Sequence, residues 1–461
     1  MGDTPNLTVL ESCRVSPPPA TIGHRSLPLT FFDVIWLTFA PVHFLFFYHF
    51  PHSKSHFMQT LVPKLKHSLS ITLQHYFPFV GNLVVFPNNP HDSTRKPEIR
   101  HVEGDSVALT FAECSLDFND LIGNHPRKCE YFHPLVPPLG STVKGSDYIK
   151  LPVFAVQVTY FPNLGFSIGT TSHHSLADAS TLFYFLKAWT SVCESGGDDA
   201  AFLTNGSQPI YDRLIDNPKV FEKRLKQIRL QGFYQPPSFV SPSDKVRATY
   251  VLTRTHVNGL KKQVQTQLPT LKYVSSFTVT CGYIWSCIVK SFVKMGEKTG
   301  EDELEQFVLS VDCRPRLDPP LPAYYLGNCS APCVVTIRKH VLTGESGYVI
   351  AAKLIGEGIS KLVNNKEGIL KDAEKWHDDF KIPARKIGVA GTPKLNFYDI
   401  DFGWGKPVTY EVVSIDYMGS VSISASKEST QDLELGVCFS SAQMEAFAKI
   451  FNDGLESAIV S

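Results

Sequence analysis

The stretch GFSIGTTSHHSLADASTLFYFLKAW, Gly165 to Trp189, changes its hydrophobic period half-way along. Its first eight residues read as a strand, antiparallel across a Pro162-Asn163 turn to the run LPVFAVQVTY from Leu151. In that run Phe154, Val156, Val158 and Tyr160 alternate with Ala155, Gln157 and Thr159, which predicts one buried face. The last eleven residues, from Ala179, place Leu182, Phe185, Leu186 and Trp189 at helical spacing. Two histidines and an aspartate therefore fall where a strand gives way to a helix. Such a junction holds side chains on rigid supports while leaving them open to a cleft.

Working outward, Phe57, Leu61, Leu65, Leu69 and Leu73 mark one helix face, and Pro78 and Gly81 of FPFVGNL end it. The apolar run Phe31 to Phe50 has the length of a membrane span but carries Asp33, Pro41, His43 and His49. It reads as buried strand and loop. A chain of 461 residues is longer than one core usually grows. Residues 205–244 are polar, broken by Pro209, Pro218, Pro236, Pro237 and Pro242, with the charged section FEKRLKQIRL inside. We therefore expect domains at 1–204 and 245–461 joined by a crossover linker at 205–244. The second half resumes with a strand in KVRATYVLTR, a helix around Val257 to Val264 and an apolar helix in SSFTVTCGYIWSCIVKSFV. A final short helix carries Met444, Phe447 and Phe451 on one face, with Gly454 expected just past its end.

Forty-four basic and forty-four acidic residues leave no formal net charge, so no general field draws the protein to nucleic acid or an anionic membrane. The ten cysteines are scattered, without a CxxC pair, which suits a reduced intracellular protein. Cys329 and Cys333, the closest pair, lack a second Cys/His pair, and no metal site is expected. The N-terminal residues show neither the basic start nor the apolar run of a signal peptide, so a cytoplasmic location is expected.

Asp178 stands where a helix N-cap belongs, and capping or an ion pair is its plainest role. Successive strand residues face opposite sides, so at most one of His173 and His174 acts as a base. No HExxH metal motif and no serine-hydrolase GxSxG elbow at a strand-to-helix turn is read in the chain. What remains is a histidine acting as general base on a hydroxyl or amine, work suited to its ordinary pKa near 6.5. DFGWG, Asp401 to Gly405, reads by itself as a tight turn anchored by aromatics.

HSLAD, His174 to Asp178, resembles the HxxxD motif of the plant BAHD acyltransferases, and DFGWG matches that family's second signature in the expected order and spacing. The resemblance extends over essentially the whole chain. LPLTFFDVIWL, SLSITLQHYFPFVGNL, VSSFTVTCGYIW, VDCRPRLDPPLPAYYLGNC and GTPKLNFYDIDFGWGKP look like the anthocyanin and flavonoid glucoside branch. YLGNC at Tyr325 to Cys329 is similar to that branch's YFGNC, with Leu326 in place of phenylalanine, and Ala179 replaces the glycine that often follows the motif aspartate.

The resemblance implies an α/β fold of two similar chloramphenicol-acetyltransferase-like domains, joined by a long crossover loop, with a channel between them. It implies transfer from an acyl-CoA co-substrate to a sugar hydroxyl by a monomer, without a covalent acyl-enzyme and without a tightly bound cofactor. His174 would be the general base. Asp178 would point away from substrate and pair with an arginine, Arg316 being the candidate and Arg314 the alternative. Asp401, Gly403, Trp404 and Gly405 would support the fold and the CoA channel, with the Trp404 indole N–H a candidate donor to the oxyanion. Ser275 and Ser276, ahead of an apolar helix, are candidate CoA-phosphate ligands or an ordinary N-cap. The branch's donors divide into malonyl-CoA and hydroxycinnamoyl-CoA. A malonyl carboxylate wants a cation, for which Arg385 and Lys386 are available, whereas a coumaroyl group wants an apolar slot. Malonyl transfer to a flavonoid or anthocyanin glucoside is the expectation, with coumaroyl or caffeoyl transfer, an idle binding protein, or an esterase on the same scaffold as alternatives.

Overall fold

The computed structural model describes residues 7–87, 95–204, 206, 208–213, 215, 217–231, 244–271, 274–298, 300, 303–376 and 378–460. Among the described residues the strands form three sheets with helices packed against them. A six-stranded sheet has the order Leu7–Val15, Val107–Cys114, Phe154–Phe161, Gly165–Ser172, Val42–His49 and Thr409–Val412. A seven-stranded sheet has the order Ser330–Arg338, Leu304–Asp312, Arg385–Ala390, Ser420–Ala425, Leu433–Ser440, Lys245–Leu252 and Arg127–Lys128. The third, of five strands from Arg25–Pro28 to Val143–Lys144, is built wholly from the first half of the chain.

Each large sheet takes an edge strand from the other half of the sequence. Thr409–Val412 pairs antiparallel with Val42–His49, Thr409 opposite Phe47, and Arg127–Lys128 pairs antiparallel with Lys245–Leu252, Arg127 opposite Arg247. Buried apolar side chains from both halves accordingly form one contiguous cluster.

The hairpin next to the histidines forms as the sequence predicts. Phe154–Phe161 pairs antiparallel with Gly165–Ser172, Phe161 opposite Gly165, and the turn puts Asn163 at a positive φ of 58°. The single buried face does not survive. All eight residues of Phe154–Phe161 are buried, because the strand is central and the segment around Pro134 lies on its second face, where the Gln157 amide donates to the Pro134 carbonyl at 2.8 Å. The same segment explains Gly169, where a Cβ would strike the Leu135 carbonyl.

The helix Ala179–Glu194 is fixed against Val62–His75 by the Trp189 indole N–H, which donates to Ser68 Oγ at 3.0 Å inside the core. Losing that acceptor would leave a buried donor unpaired, at a cost of about 1–3 kcal/mol. The apolar run from Phe31 splits into a short helix, Phe31–Val34, and the strand Val42–His49. Three further expectations are revised. FPFVGNL is not a plain helix end, since Phe77–Val80 adds a helical turn before the strand Asn82–Val85. The crossover region contains a helix, Pro218–Gln231, because Val220, Phe221, Leu225 and Ile228 supply a buried face within the charged section; Asn205, Pro236, Pro237 and Pro242 lie outside the described residues. The last helix runs through Gly454 to Val460, and glycine there is a matter of space: a Cβ would strike the Tyr283 hydroxyl, which donates to the Phe451 carbonyl.

Candidate active site

Strand pairing ends at Ser172, and the His173 N–H still reaches the Val153 carbonyl at 2.8 Å. A turn closed by Leu176 N–H to His173 O then delivers Asp178 to the helix N-terminus, where its Oδ1 accepts the Thr181 N–H at 3.0 Å. The capping role read from the sequence is real, and it is half of what Asp178 does. The Arg314 guanidinium grips the same carboxylate in two places, Nη1 to Oδ2 at 2.7 Å and Nη2 to Oδ1 at 3.0 Å, and the Cys329 N–H adds a third donor at 3.1 Å. Arg314 is 2% exposed and also donates to the Gly327 carbonyl at 2.8 Å and the Tyr325 carbonyl at 3.1 Å. Burial works against its charge, but Asp178 outweighs that and keeps the guanidinium firmly protonated.

The expected partner, Arg316, is not the one used. It donates to the Asp312 carbonyl at 2.7 Å instead. Residues 314–316 form a single 3-10 turn, so side chains two apart diverge by about 120° around its axis and only one of the two arginines can face Asp178.

His173 and His174 diverge as strand geometry requires. His173 is 2% exposed and its Nδ1 accepts the Ser175 N–H at 3.2 Å; burial, then the neighbouring His174, push its pKa down to about 4. His174 is half-buried and lies flat on Trp36, ring centroids 3.8 Å apart and planes 4° from parallel. Burial lowers its pKa below the ordinary histidine value, opposed by its own backbone, Asp178 and Asn328, so the ring is neutral at pH 7. Its Nδ1 is buried without a hydrogen-bond partner, which leaves Nε2 as the nitrogen for chemistry.

The backbone of His174 is held from the far half of the chain. Asn328 Nδ2 donates to the His174 carbonyl at 2.9 Å and to Asp33 Oδ1 at 3.0 Å, and the Asn328 N–H donates to the same oxygen at 2.9 Å. Asp33 Oδ2 in turn accepts the Thr30 N–H and hydroxyl at 2.9 and 2.7 Å. Asp33 is wholly buried with both carboxylate oxygens paired, while Asn328 Oδ1 is left without a partner among the described residues. Gly327 is required twice over: its φ is +118°, and a Cβ would come within 2.8 Å of Arg213 Nη1 and 3.3 Å of Asp33 Oδ1. Sequence reasoning missed Asp33, Trp36 and Asn328 as site residues. The one available signal was the Thr30-x-x-Asp33 spacing, a capping-box pattern ahead of an apolar run.

DFGWG is a turn remote from His174. Asp401 Oδ1 accepts the N–H groups of Gly403 at 2.8 Å and Gly405 at 3.0 Å, both glycines at positive φ of 92° and 98°. Phe402 packs edge-on against Trp189 at 4.8 Å. Trp404 lies under the Lys64 ammonium at 4.8 Å and edge-on to Phe166 at 6.0 Å. Phe166 and Ser172 stand at opposite ends of one strand, about 20 Å apart at strand rise. Trp404 is therefore not the oxyanion donor.

Ser275 is an N-cap: its Oγ accepts the Thr278 N–H at 3.0 Å at the start of the helix Ser276–Lys294, while Ser276 is exposed. The cations suggested for a malonyl carboxylate are committed elsewhere. Arg385 donates to Glu305 Oε2 at 2.9 Å and Glu297 Oε2 at 2.8 Å and stacks on Phe292, and Lys386 donates to the Ile382 and Ala384 carbonyls. A cavity of about 670 Å³ lined by Glu297, Glu303, Glu305 and Arg385 includes neither His174 nor any of its partners. One sequence reading was incomplete: GFSIG, Gly165–Gly169, does spell GxSxG. Ser167 sits mid-strand and wholly buried, so it is no hydrolase elbow.

The family model described as "Transferase family" matches residues 6–453. A malonyl-coenzyme A:anthocyanin 3-O-glucoside-6''-O-malonyltransferase of Dahlia pinnata is 74% identical, covering 100% of each chain. Phenolic glucoside malonyltransferase 1 of Nicotiana tabacum is 42% identical, covering 97% of this chain and 99% of its own. A coumaroyl-CoA:anthocyanidin 3-O-glucoside-6''-O-coumaroyltransferase of Arabidopsis thaliana is more distant, 35% identical over 97% of each. Among solved structures, vinorine synthase superposes with a TM-score of 0.70 at 20% identity over 96% of each chain. F. sporotrichioides TRI101, complexed with coenzyme A and T-2, superposes with a TM-score of 0.63 at 14% identity, covering 92% of this chain and 97% of its own. At such identities the likeness is one of fold.

Proposed function

This chain belongs to the Transferase family as a BAHD acyltransferase, and on that premise we propose that it moves the malonyl group of malonyl-CoA to a glucose hydroxyl of an anthocyanin glucoside. The observation that carries the reading is the 74% identity over the full chain to the Dahlia enzyme, set against 35% for the coumaroyl-transferring relative. That enzyme's name also favours the 6''-hydroxyl of a 3-O-glucoside as the acceptor.

In the reaction the sugar oxygen attacks the thioester carbonyl while His174 Nε2 takes the hydroxyl proton. The C–S bond then breaks and the imidazolium returns the proton to the departing thiolate, giving the malonyl ester and free CoA. Nothing of the acyl group passes to the protein. The neutral state of His174 supports this role. Asp178 serves by position, holding the histidine turn to Arg314. Acyl-CoA is a co-substrate here. Its phosphates are assigned to the N-terminus of Ser276–Lys294, where Ser276 remains available and Ser275 is occupied as cap. We place the enzyme in the cytoplasm as a monomer.

The test offers the purified chain an anthocyanin 3-O-glucoside with malonyl-CoA and p-coumaroyl-CoA together, and reads products by mass. A malonylated glucoside absent from His174→Ala is expected. A coumaroylated product would overturn the donor, and free malonate without ester would replace transfer by hydrolysis.

A further inference from the structure

Away from the histidine turn, two thiols that the transfer does not use meet across the molecule. Cys129 Sγ and Cys438 Sγ are 3.2 Å apart, although the residues are 309 positions apart in sequence. Cys129 opens the helical turn that follows Arg127–Lys128 and is wholly buried. Cys438 lies on Leu433–Ser440, opposite Arg247 of the neighbouring strand, and is half-buried. The pair bridges a segment of the first half of the chain and a strand of the second.

Two chemistries fit such a pair. With the Asp416 carboxylate the sulfurs form a group whose ligand atoms all lie within 4.8 Å of one another, spacing that would admit a soft cation. The surroundings oppose it. Asp416 Oδ2 already accepts from His133 at 2.8 Å and Arg247 at 3.2 Å, and Arg247 and Arg127 both pair with Glu411 beside it at 2.9 Å. Two buried guanidinium groups, balanced by two carboxylates, leave no surplus negative charge for a dication. Two thiols in contact need no added charge to join.

We propose that Cys129 and Cys438 form a reversible disulfide that ties the edge strand contributed by the first half to the seven-stranded sheet. The oxidant is a low-molecular-mass disulfide of the glutathione type. Half-buried Cys438, as thiolate, attacks one sulfur of that disulfide, and one glutathione leaves as thiolate. Cys129 then attacks the Cys438 sulfur, the mixed S–S bond breaks and the second glutathione departs. The two protein thiols are oxidised by two electrons, and the oxidant is reduced to two thiols that take up the two protons. Cys129 is wholly buried whereas Cys438 is half-buried, which makes Cys438 the first nucleophile to meet the oxidant. The closed link spans most of the chain, so it restricts the unfolded state and raises the unfolding temperature of the oxidised form.

The full-length chain, treated with oxidised glutathione, is read by intact mass, thiol titration and non-reducing peptide mapping. Expected are a mass loss of about 2 Da, disappearance of two of the ten thiols, and one cross-linked peptide pair containing Cys129 and Cys438, all reversed by dithiothreitol. Cys438→Ser abolishes the link, and Cys333→Ser keeps it. A glutathione adduct left standing on Cys438, a link through other cysteines, or unchanged thiols would each overturn the proposal. So would stoichiometric zinc in the untreated protein that is lost in Cys438→Ser, which would assign the pair to a cation. Should Cys438→Ser fail to fold, the wild-type map decides alone.

Discussion

The Trp36 indole lies face to face with the His174 imidazole, centroids 3.8 Å apart and planes within 4°. The contact fixes the ring plane of the proposed base, whose Nδ1 has no hydrogen bond to fix it. Catalytic groups misplaced by about 1 Å can lose about 100-fold in rate. Trp36→Ala should therefore lower kcat by about 10- to 100-fold, with a smaller change in KM for malonyl-CoA. Trp36→Phe, which keeps a stacking face, should recover most of the loss; steady-state kinetics with both variants check this.

The Asp178–Arg314 pair is buried and bidentate, and removing one partner strands a charge. Arg314→Ala should cost about 3–5 kcal/mol of stability, read as a lowered urea midpoint. Asp178→Asn keeps the cap oxygen but strands the buried Arg314 charge, so it should lose activity and also cost about 3–5 kcal/mol of stability. Arg316→Ala should leave both unchanged.

Acid should unfold the protein through its buried histidines. His173 is held to about 4 by burial and then by His174, and His43 to about 4 by burial and then by His133. In the unfolded chain both titrate near 6.5, so the unfolded state binds protons that the folded state refuses. Stability is complete above about 6.5 and falls as pH drops toward about 4, by about 1.4 kcal/mol per histidine per pH unit. Denaturation midpoints between pH 7 and 4.5 test the slope. For catalysis the sign is the same: His174 must be neutral, its pKa lies below the ordinary value, and the acidic limb of kcat/KM should fall below about 6.5.

Arg385 is spent on Glu297 and Glu305. Arg385→Ala should leave the KM for malonyl-CoA within about twofold while lowering stability by about 1–3 kcal/mol, because the buried Glu305 carboxylate loses its donor. A KM rise of tenfold with normal stability would return Arg385 to the donor site.

The local parts of the site were legible in the sequence. The switch from strand to helix shows in the local hydrophobic period, and Asp178 at the cap and Asp401 closing a turn onto two glycines are made by hydrogen bonds between residues at most four positions apart. Residue type and spacing are enough to encode them. The partners of those parts were decided by tertiary structure. Arg314 rather than Arg316 reaches Asp178 from 136 positions away, Asn328 joins Asp33 across 295, and Thr409–Val412 closes the sheet beside Val42–His49. Chemistry alone makes every arginine a suitable partner for an aspartate. Which one arrives depends on the turn that aims it and on the packing of both halves into a common core, and neither is carried by a short motif.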